Sequence, residues 1–328
     1  MTALLEVRGL STVFHALDGA HAAVNDVSFT VGRGEILGLV GESGSGKSVT
    51  GLSVMGLIDP PGEVVAGAIL FKGDDLRRKA PDAMRRLRGD RIAMIFQDPL
   101  MTLNPVLRID EQMIEAITEH ADVPPAEALR RAAEALALVG IPSPEARLRG
   151  YPHELSGGMR QRVAIAIAML NKPDLIIADE PTTALDVTIQ GQILYEMQRL
   201  SRASGTAMIW ITHDLGVVAE LADRIAVMYA GRIVETGAVD EILDAPRHPY
   251  TQGLLRSVPA ANSPGRRLAQ IEGMSPSLAA RPTGCAFHPR CPRALAICTD
   301  DDPAMTADRS GRAWRCHNPV PAAEVVPA

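Results

Sequence analysis

The feature that most constrains this chain is "GESGSGKS", residues 41–48. It follows "GEILGLV", a short continuous apolar run of the kind that forms a strand covered on both faces. It precedes "KSVTGLSVMGLI", which has helical spacing and no proline. A glycine-rich turn from buried strand to helix fits the phosphate-binding loop pattern. The glycines let backbone N–H groups turn inward around phosphate oxygens with no Cβ in the way. Lys47 adds charge at the β- and γ-phosphates, and the Ser48 hydroxyl is placed to ligate magnesium. The helix that begins at Lys47 points its positive end at the same anion.

The order of elements around this loop predicts an α/β core with an inserted helical part. "VNDVSFTV" alternates, with Val27, Phe29 and Val31 on one face, as in a half-buried strand. The first 97 residues read as strands and turns around one helix. From about 98 to 170, "IDEQMIEAITEHA", "PAEALRRAAEALALVG" and "SGGMRQRVAIAIAMLN" read as three amphipathic helices with proline-bearing breaks between them. "DLIIAD", "TAMIWITHD" and "RIAVMYAGRIVETG" return to strands. The expected domains are therefore 1–245, with the helical subdomain at about 98–170, and a proline-rich extension at 246–328.

Composition narrows the class of function. A chain of 328 residues buries enough surface to need no staples in its main core. A net charge of -6 gives no basic field for nucleic acid, and the basic run at residues 77–91 carries interleaved acids, as a solvated helix does. Glu6 and Arg8 interrupt the start too early for a secretory signal. No apolar run approaches the roughly 18 residues that a membrane span needs. The expected location is the cytoplasm, with any membrane spanning done by another subunit.

Two further motifs carry chemistry. "LIIADEP" ends a buried strand in Asp179, a carboxylate for the magnesium region, and Glu180 beside it can polarise an attacking water. "LSGGMRQR" opens a helix with Ser156, Gly157 and Gly158, a second anion-binding helix start 108 positions past Ser48. One nucleotide does not need two cradles from one chain. Two chains arranged head to tail do need them, because each nucleotide then takes one cradle from each.

With these motifs in this order, the sequence resembles the ATP-binding-cassette ATPases over nearly its whole length. "GESGSGKS" is similar to their Walker A motif, "LIIADE" to Walker B and "LSGGM" to the signature, with Met159 where glutamine is commonest. The resemblance implies a P-loop ATPase core, an N-terminal antiparallel β-subdomain, an inserted helical subdomain and a small loop-rich C-terminal extension. It implies ATP and Mg2+ as cofactors. Nucleotide contacts would come from Gly41, Ser43, Gly44, Ser45, Gly46, Lys47, Ser48 and Val49, and Mg2+ ligands from Ser48, Gln97 and Asp179. Gln97 in "IFQDP" matches the Q-loop, Asp186 in "TTALD" the D-loop, His213 in "ITHD" the switch histidine, and Phe14 the aromatic that stacks on adenine. Glu180, His213, Gln97 and Lys47 would then be the catalytic set.

Within that family "MIFQDPLMTLNP", "HPYTQGLL" and "GCAFHPRCP" are similar to the ATPases of dipeptide, oligopeptide and nickel importers. That branch implies a second, paralogous ATPase subunit, two membrane permeases, an extracytoplasmic solute-binding protein and a place on the cytoplasmic face of the cell membrane. Peptide is the first substrate reading, with nickel or another small solute as the alternative and a non-transport ATP-binding-cassette ATPase as a more distant one; an exporter ATPase would leave "HPYTQGLL" and the cysteine tail unexplained. Guanine-binding "NKxD" sequence, long coiled coils and a second cassette are all absent, which sets aside GTPases, chromosome-structure ATPases and translation factors.

All four cysteines lie in the tail: Cys285, Cys291, Cys298 and Cys316, separated by five, six and 17 residues. A reducing compartment argues against disulfides. Four thiolates suit tetrahedral zinc or an iron–sulfur cluster. The spacing lacks the tight pairs usual for zinc, and the resemblance implies a 4Fe–4S cluster, with zinc and no metal as alternatives. His288 and His317 read as ordinary loop residues near the site.

Overall fold

The computed structural model, which describes residues 3–182, 185–258 and 270–321, divides into two units. The first unit comprises Leu5–Thr30, Ile36–Arg77 and Ile211–Ala328, and the second Met1–Leu4, Val31–Glu35 and Arg78–Trp210.

In the first unit, β1 (Leu5–Ala16), β2 (Gly19–Val31), β4 (Gly62–Phe71) and β5 (Asp74–Asp75) form an antiparallel sheet of order β2-β1-β4-β5. Val27, Phe29 and Val31 are buried while Ser28 and Thr30 between them are exposed, the period-2 pattern of a one-sided sheet. A second set of strands is built on β3 (Ile36–Val40), buried at every residue, which runs parallel to β9 (Arg224–Tyr229) with Val40 opposite Val227. β9 pairs antiparallel with β10 (Arg232–Ala238). Helices α1 (Lys47–Met55), α8 (Leu215–Leu221), α9 (Val239–Asp244) and α10 (Pro249–Arg256) complete this unit.

In the second unit β6 (Ile92–Ile95) runs parallel to β7 (Leu175–Asp179), with β8 (Ala207–Thr212) on the other side of β7. The helices are α2 (Pro81–Leu87), α3 (Ile109–Thr118), α4 (Pro125–Leu138), α5 (Pro144–Leu148), α6 (Gly157–Met169) and α7 (Val187–Ser204). Ile109, Met113 and Ile117 line one side of α3, and Ala128, Ala132 and Leu136 one side of α4, each set four residues apart as a helical stripe requires. No helix among the described residues is long and apolar enough to cross a membrane.

α2 forms on the basic run with a proline in its first turn, as the solvated-helix reading of residues 77–91 expects, so the first 97 residues hold two helices rather than one. Two further local expectations change. A short α5 intervenes in the helical stretch. The third expected amphipathic helix, α6, is instead buried along most of its length, from Gln161 through Val163, Ile165 and Met169. Small alanines between its branched residues let neighbours approach on several sides.

The C-terminal tail does not stand alone. β12 (Ala313–Trp314) pairs antiparallel with β10, setting Trp314 opposite Glu235, and β11 (Thr306–Ala307) pairs with β12. Phe287 packs its ring against both Tyr229 and Tyr250, with centroids 5.2 and 5.4 Å away, and the two tyrosine rings lie 4.6 Å from each other. Glu235, 0% exposed, accepts hydrogen bonds from the main-chain N–H groups of Arg247 and His248 at 2.7 and 2.9 Å and from Arg312 of the tail at 2.7 Å.

His248 caps α10: its Nδ1 accepts from the Tyr250 N–H at 3.0 Å. The side chain is 1% exposed, and burial pushes its pKa down to about 3. Below about pH 6.5 the unfolded chain therefore binds a proton that the folded chain refuses, so stability falls as pH drops through that window. His248→Asn keeps a capping acceptor and removes the titration. Urea unfolding should show the wild type losing about 2 kcal/mol more than His248→Asn between pH 7.5 and 5. Equal losses would mean that His248 is not the buried neutral group described.

Candidate functional site

The phosphate loop lies in the first unit, where β3 turns into α1. Gly46, with φ 99°, is the N-cap of α1, and no side chain caps that helix. A Cβ on Gly46 would lie 2.5 Å from the Ala23 carbonyl oxygen, and one on Gly41 would lie 2.3 Å from that of Met228. Backbone therefore closes around the loop so tightly that only hydrogen fits at either position. Gly231 of the β9–β10 turn donates to the Ser45 carbonyl at 2.9 Å and supports the loop from below. Lys47 Nζ donates to the carbonyls of Gly41 and Glu42 at 2.7 and 2.9 Å, with Ser45 Oγ at 3.4 Å. A helix start without a side-chain cap, a backbone cradle and a buried ammonium group together fit the phosphates of a nucleotide. Ser43 and Gly44 are exposed, and Ser48 and Val49 are half-buried on the first turn of α1. Phe14, half-buried near the end of β1, sits opposite Gly62, where a Cβ would come within 2.8 Å of its ring. His213 is exposed after β8, beside Asp214, whose carboxylate caps α8.

In the second unit Asp179 is buried at the end of β7, and Glu180 follows with φ 46°. That left-handed backbone turns Glu180 out of the strand direction, a strained conformation of a kind that recurs at functional sites. Gln97 Nε2 donates to Glu180 Oε2 at 3.2 Å, so two residues 83 positions apart are brought together. Ser156 is the N-cap of α6, its hydroxyl accepting from the Met159 N–H at 3.3 Å, with Gly157 exposed and Gly158 half-buried beside it. Asp186 caps α7 in the same way, accepting from the Ile189 N–H at 3.0 Å.

Sequence reading missed the supports of the phosphate loop. Tyr250 Oη accepts from the Glu42 N–H at 2.9 Å. Arg290 grips the Glu42 carboxylate with both terminal nitrogens, at 2.7 and 3.0 Å, across 248 positions. Burial would raise the Glu42 pKa, but hydrogen bonds from Arg290 and Ser275 outweigh it and hold the carboxyl below its ordinary range. The only trace of these partners in the sequence is that Tyr250 and Arg290 fall inside "HPYTQGLL" and "HPRCP".

The four cysteines are free thiols in neighbouring loops. Cys285 N–H donates to the Cys298 carbonyl at 2.9 Å, and His288 Nδ1 lies 3.0 Å from the Cys285 carbonyl oxygen. Burial pushes Cys285 up to about 11, with Cys298 and Cys291 adding to the shift, and Cys316 up to about 12, with Cys291, Cys285 and Cys298 adding to it. Burial raises Cys291 as well, with Cys298 contributing. All four sulfurs thus lie within electrostatic reach of one another. No three His, Cys, Asp or Glu side chains among the described residues converge closely enough to hold a metal ion, so the structure shows no formed ligand set for the expected 4Fe–4S cluster or for its zinc alternative. His317 turns instead to Asp301, 3.1 Å from its carbonyl oxygen.

A P-loop between buried strand and helix, with carboxylates ending a second strand, defines a nucleotide-hydrolysing cassette. The ABC transporter family profile matches residues 24–183, and that of the oligopeptide/dipeptide transporter C-terminal region matches residues 234–298. The chain is 49% identical over 318 residues to the dipeptide transport ATP-binding protein DppD of Escherichia coli (strain K12), covering 97% of each. It is likewise 49% identical over 329 aligned residues to the oligopeptide transport ATP-binding protein OppD of Bacillus subtilis (strain 168), covering 99% of this chain and 92% of that protein. Among solved structures, the dimeric post-hydrolysis state of the ATP-binding cassette MJ0796 bound to ADP and Pi aligns with TM-score 0.66 and 25% identity, over 72% of this chain and 98% of that one. The chain belongs to the ABC transporter ATPases, and its fold is the α/β P-loop core with an antiparallel β part expected from the sequence.

The geometry separates two glycines that share a left-handed backbone. Gly44, with φ 79°, has nothing within 4 Å of a built Cβ, whereas Gly46 meets the Ala23 carbonyl. Gly44→Ala should therefore cost about 1 kcal/mol, and Gly46→Ala about 3 kcal/mol or more, in urea unfolding. Equal costs would show that crowding around Gly46 does not shape the loop.

Proposed function

We propose that this chain is the ATP-hydrolysing subunit of a membrane importer, coupling ATP binding and hydrolysis to the uptake of dipeptides or oligopeptides. The carrying observation is likeness along almost the whole chain to two peptide-transport ATP-binding proteins, including the C-terminal region. In this reading the cassette is 1–245, with its helical subdomain at about 98–170, and 246–328 is the extension. A second, paralogous ATPase subunit completes a head-to-tail dimer, two permeases span the membrane, and a solute-binding protein delivers cargo from outside. The chain then works at the cytoplasmic face of the cell membrane.

Lys47 and the loop amides hold the β- and γ-phosphates, and Phe14 stacks on adenine. By the family resemblance Ser48, Gln97 and Asp179 would hold Mg2+, which would supply neutralisation of phosphate charge. Glu180 polarises the attacking water, and Gln97, donating to its carboxylate at 3.2 Å, orients that base and links it to the helical subdomain. His213 senses the γ-phosphate. Ser156, Gly157 and Gly158, with Asp186, serve the nucleotide held by the partner subunit. For Cys285, Cys291, Cys298 and Cys316 the reading carried over from the resemblance is a structural 4Fe–4S cluster, with zinc as the alternative; the gathering of all four cysteines in the tail supports it. Such a group is wider than one zinc ion and would tie the tail's loops together.

Glu180→Gln should keep ATP affinity and lower turnover at least 100-fold in the assembled transporter. Lys47→Ala should instead lose nucleotide affinity. Wild-type turnover by Glu180→Gln would sink the assignment. Anaerobically purified protein should be brown and carry iron and sulfide. A colourless protein with one zinc per chain would refute the cluster. Peptides retained when the complex is co-purified with its permeases would test the substrate class.

A further inference from the structure

Glu42 occupies the second position of the phosphate loop and is held at three points. Its N–H donates to Tyr250 of α10, its carboxylate is gripped by Arg290, and its carbonyl accepts from Lys47. Any shift of the Glu42 peptide therefore moves the acceptor that positions the phosphate-binding ammonium group. A carboxylate in this place has an electrostatic cost of its own. It sits in a loop built to receive anions, and its charge would oppose phosphate unless a cation compensates it.

Arg290 is built to be that cation. Its side chain is 7% exposed. The Nε donates to the Glu272 carbonyl at 2.9 Å and Nη2 to that of Gly273 at 3.3 Å, and the guanidinium lies 5.8 Å from the centroid of the Tyr229 ring. Ser275 donates to the same Glu42 carboxylate. These contacts come from the tail and β9, so the guanidinium is held by partners outside the loop. A planar fork fixed in this way gives a paired, directional contact with carboxylate. Arg290 also directly precedes Cys291, so the folding of the cysteine-bearing loops determines where the fork points.

We propose that Arg290 and Glu42 form a latch through which the folded C-terminal tail sets the geometry and charge of the phosphate loop, making both of them positioning residues for nucleotide binding. The inference rests on the reading of residues 41–48 as the ATP phosphate site. It extends that reading by assigning the tail a part in ATP affinity.

A double-mutant cycle on the full-length chain tests it, with the dissociation constant for Mg-ATP as the readout. Arg290→Ala leaves the Glu42 charge uncompensated and should weaken ATP binding about tenfold. Adding Glu42→Gln removes that charge and should restore most of the affinity, a rescue that a purely structural role would not give. An unchanged affinity in Arg290→Ala, or a loss of the same size with and without Glu42→Gln, overturns the latch. If Arg290→Ala does not fold, Glu42→Ala leaves the tail sequence intact, and hydrogen exchange of the peptide covering residues 41–48 reports on the loop. Faster exchange supports the latch, and exchange equal to wild type overturns it. Lys47→Ala is the control for the underlying reading. If it binds ATP as well as wild type, the loop is not the phosphate site and the latch falls with it.

Discussion

Glu235 has no contact with solvent, and a carboxylate in that position survives only if its charge is met from several directions. Two main-chain N–H groups at the start of α10 and the Arg312 guanidinium meet it. Three pieces of chain far apart in sequence are thereby tied to β10. Arg312 brings the tail, the Arg247 and His248 amides bring α10, and α10 brings Tyr250, whose hydroxyl reaches the phosphate loop. Removal of one partner from such a buried pair costs about 3–5 kcal/mol. The Glu235 carboxylate is therefore the point from which the first unit's loop, helix and tail take their positions.

The elements visible in the sequence were those with strong local signals. β3, β7 and β8 were legible because continuous apolar runs bounded by turns have few alternatives. The motifs also placed Gln97 and Glu180 in one site, and the structure brings their side chains together. α5 was missed because five residues carry too little periodicity, and β11 and β12 because two-residue strands carry none. α6 misled for a different reason. Its first-turn polar residues suggest an exposed face, while burial around the rest is set by neighbours that sequence alone does not reveal.

The site shows the same division. Phosphate-loop residues are contiguous, so their chemistry can be read directly. The Glu42–Arg290 contact spans 248 positions and has no periodicity to betray it. Cysteine clustering announced a shared role for the tail, yet the arrangement of the thiols was open until the loops were placed. Burial favours the protonated form of Cys285, Cys291 and Cys316, so any group that binds these thiols as thiolates must displace protons as it binds.

β12 has a consequence beyond the site. By pairing with Glu235 and Thr236 it covers part of the outer edge of β10, whose other edge is already occupied by β9. An uncovered strand edge is a template for another chain. A cassette cut short near residue 245 would thus present a bare edge of β10 along with the aromatic face of Tyr229 that Tyr250 and Phe287 otherwise cover. By occupying that edge the tail removes a place where a second chain could pair, independently of any part it has in ATP chemistry.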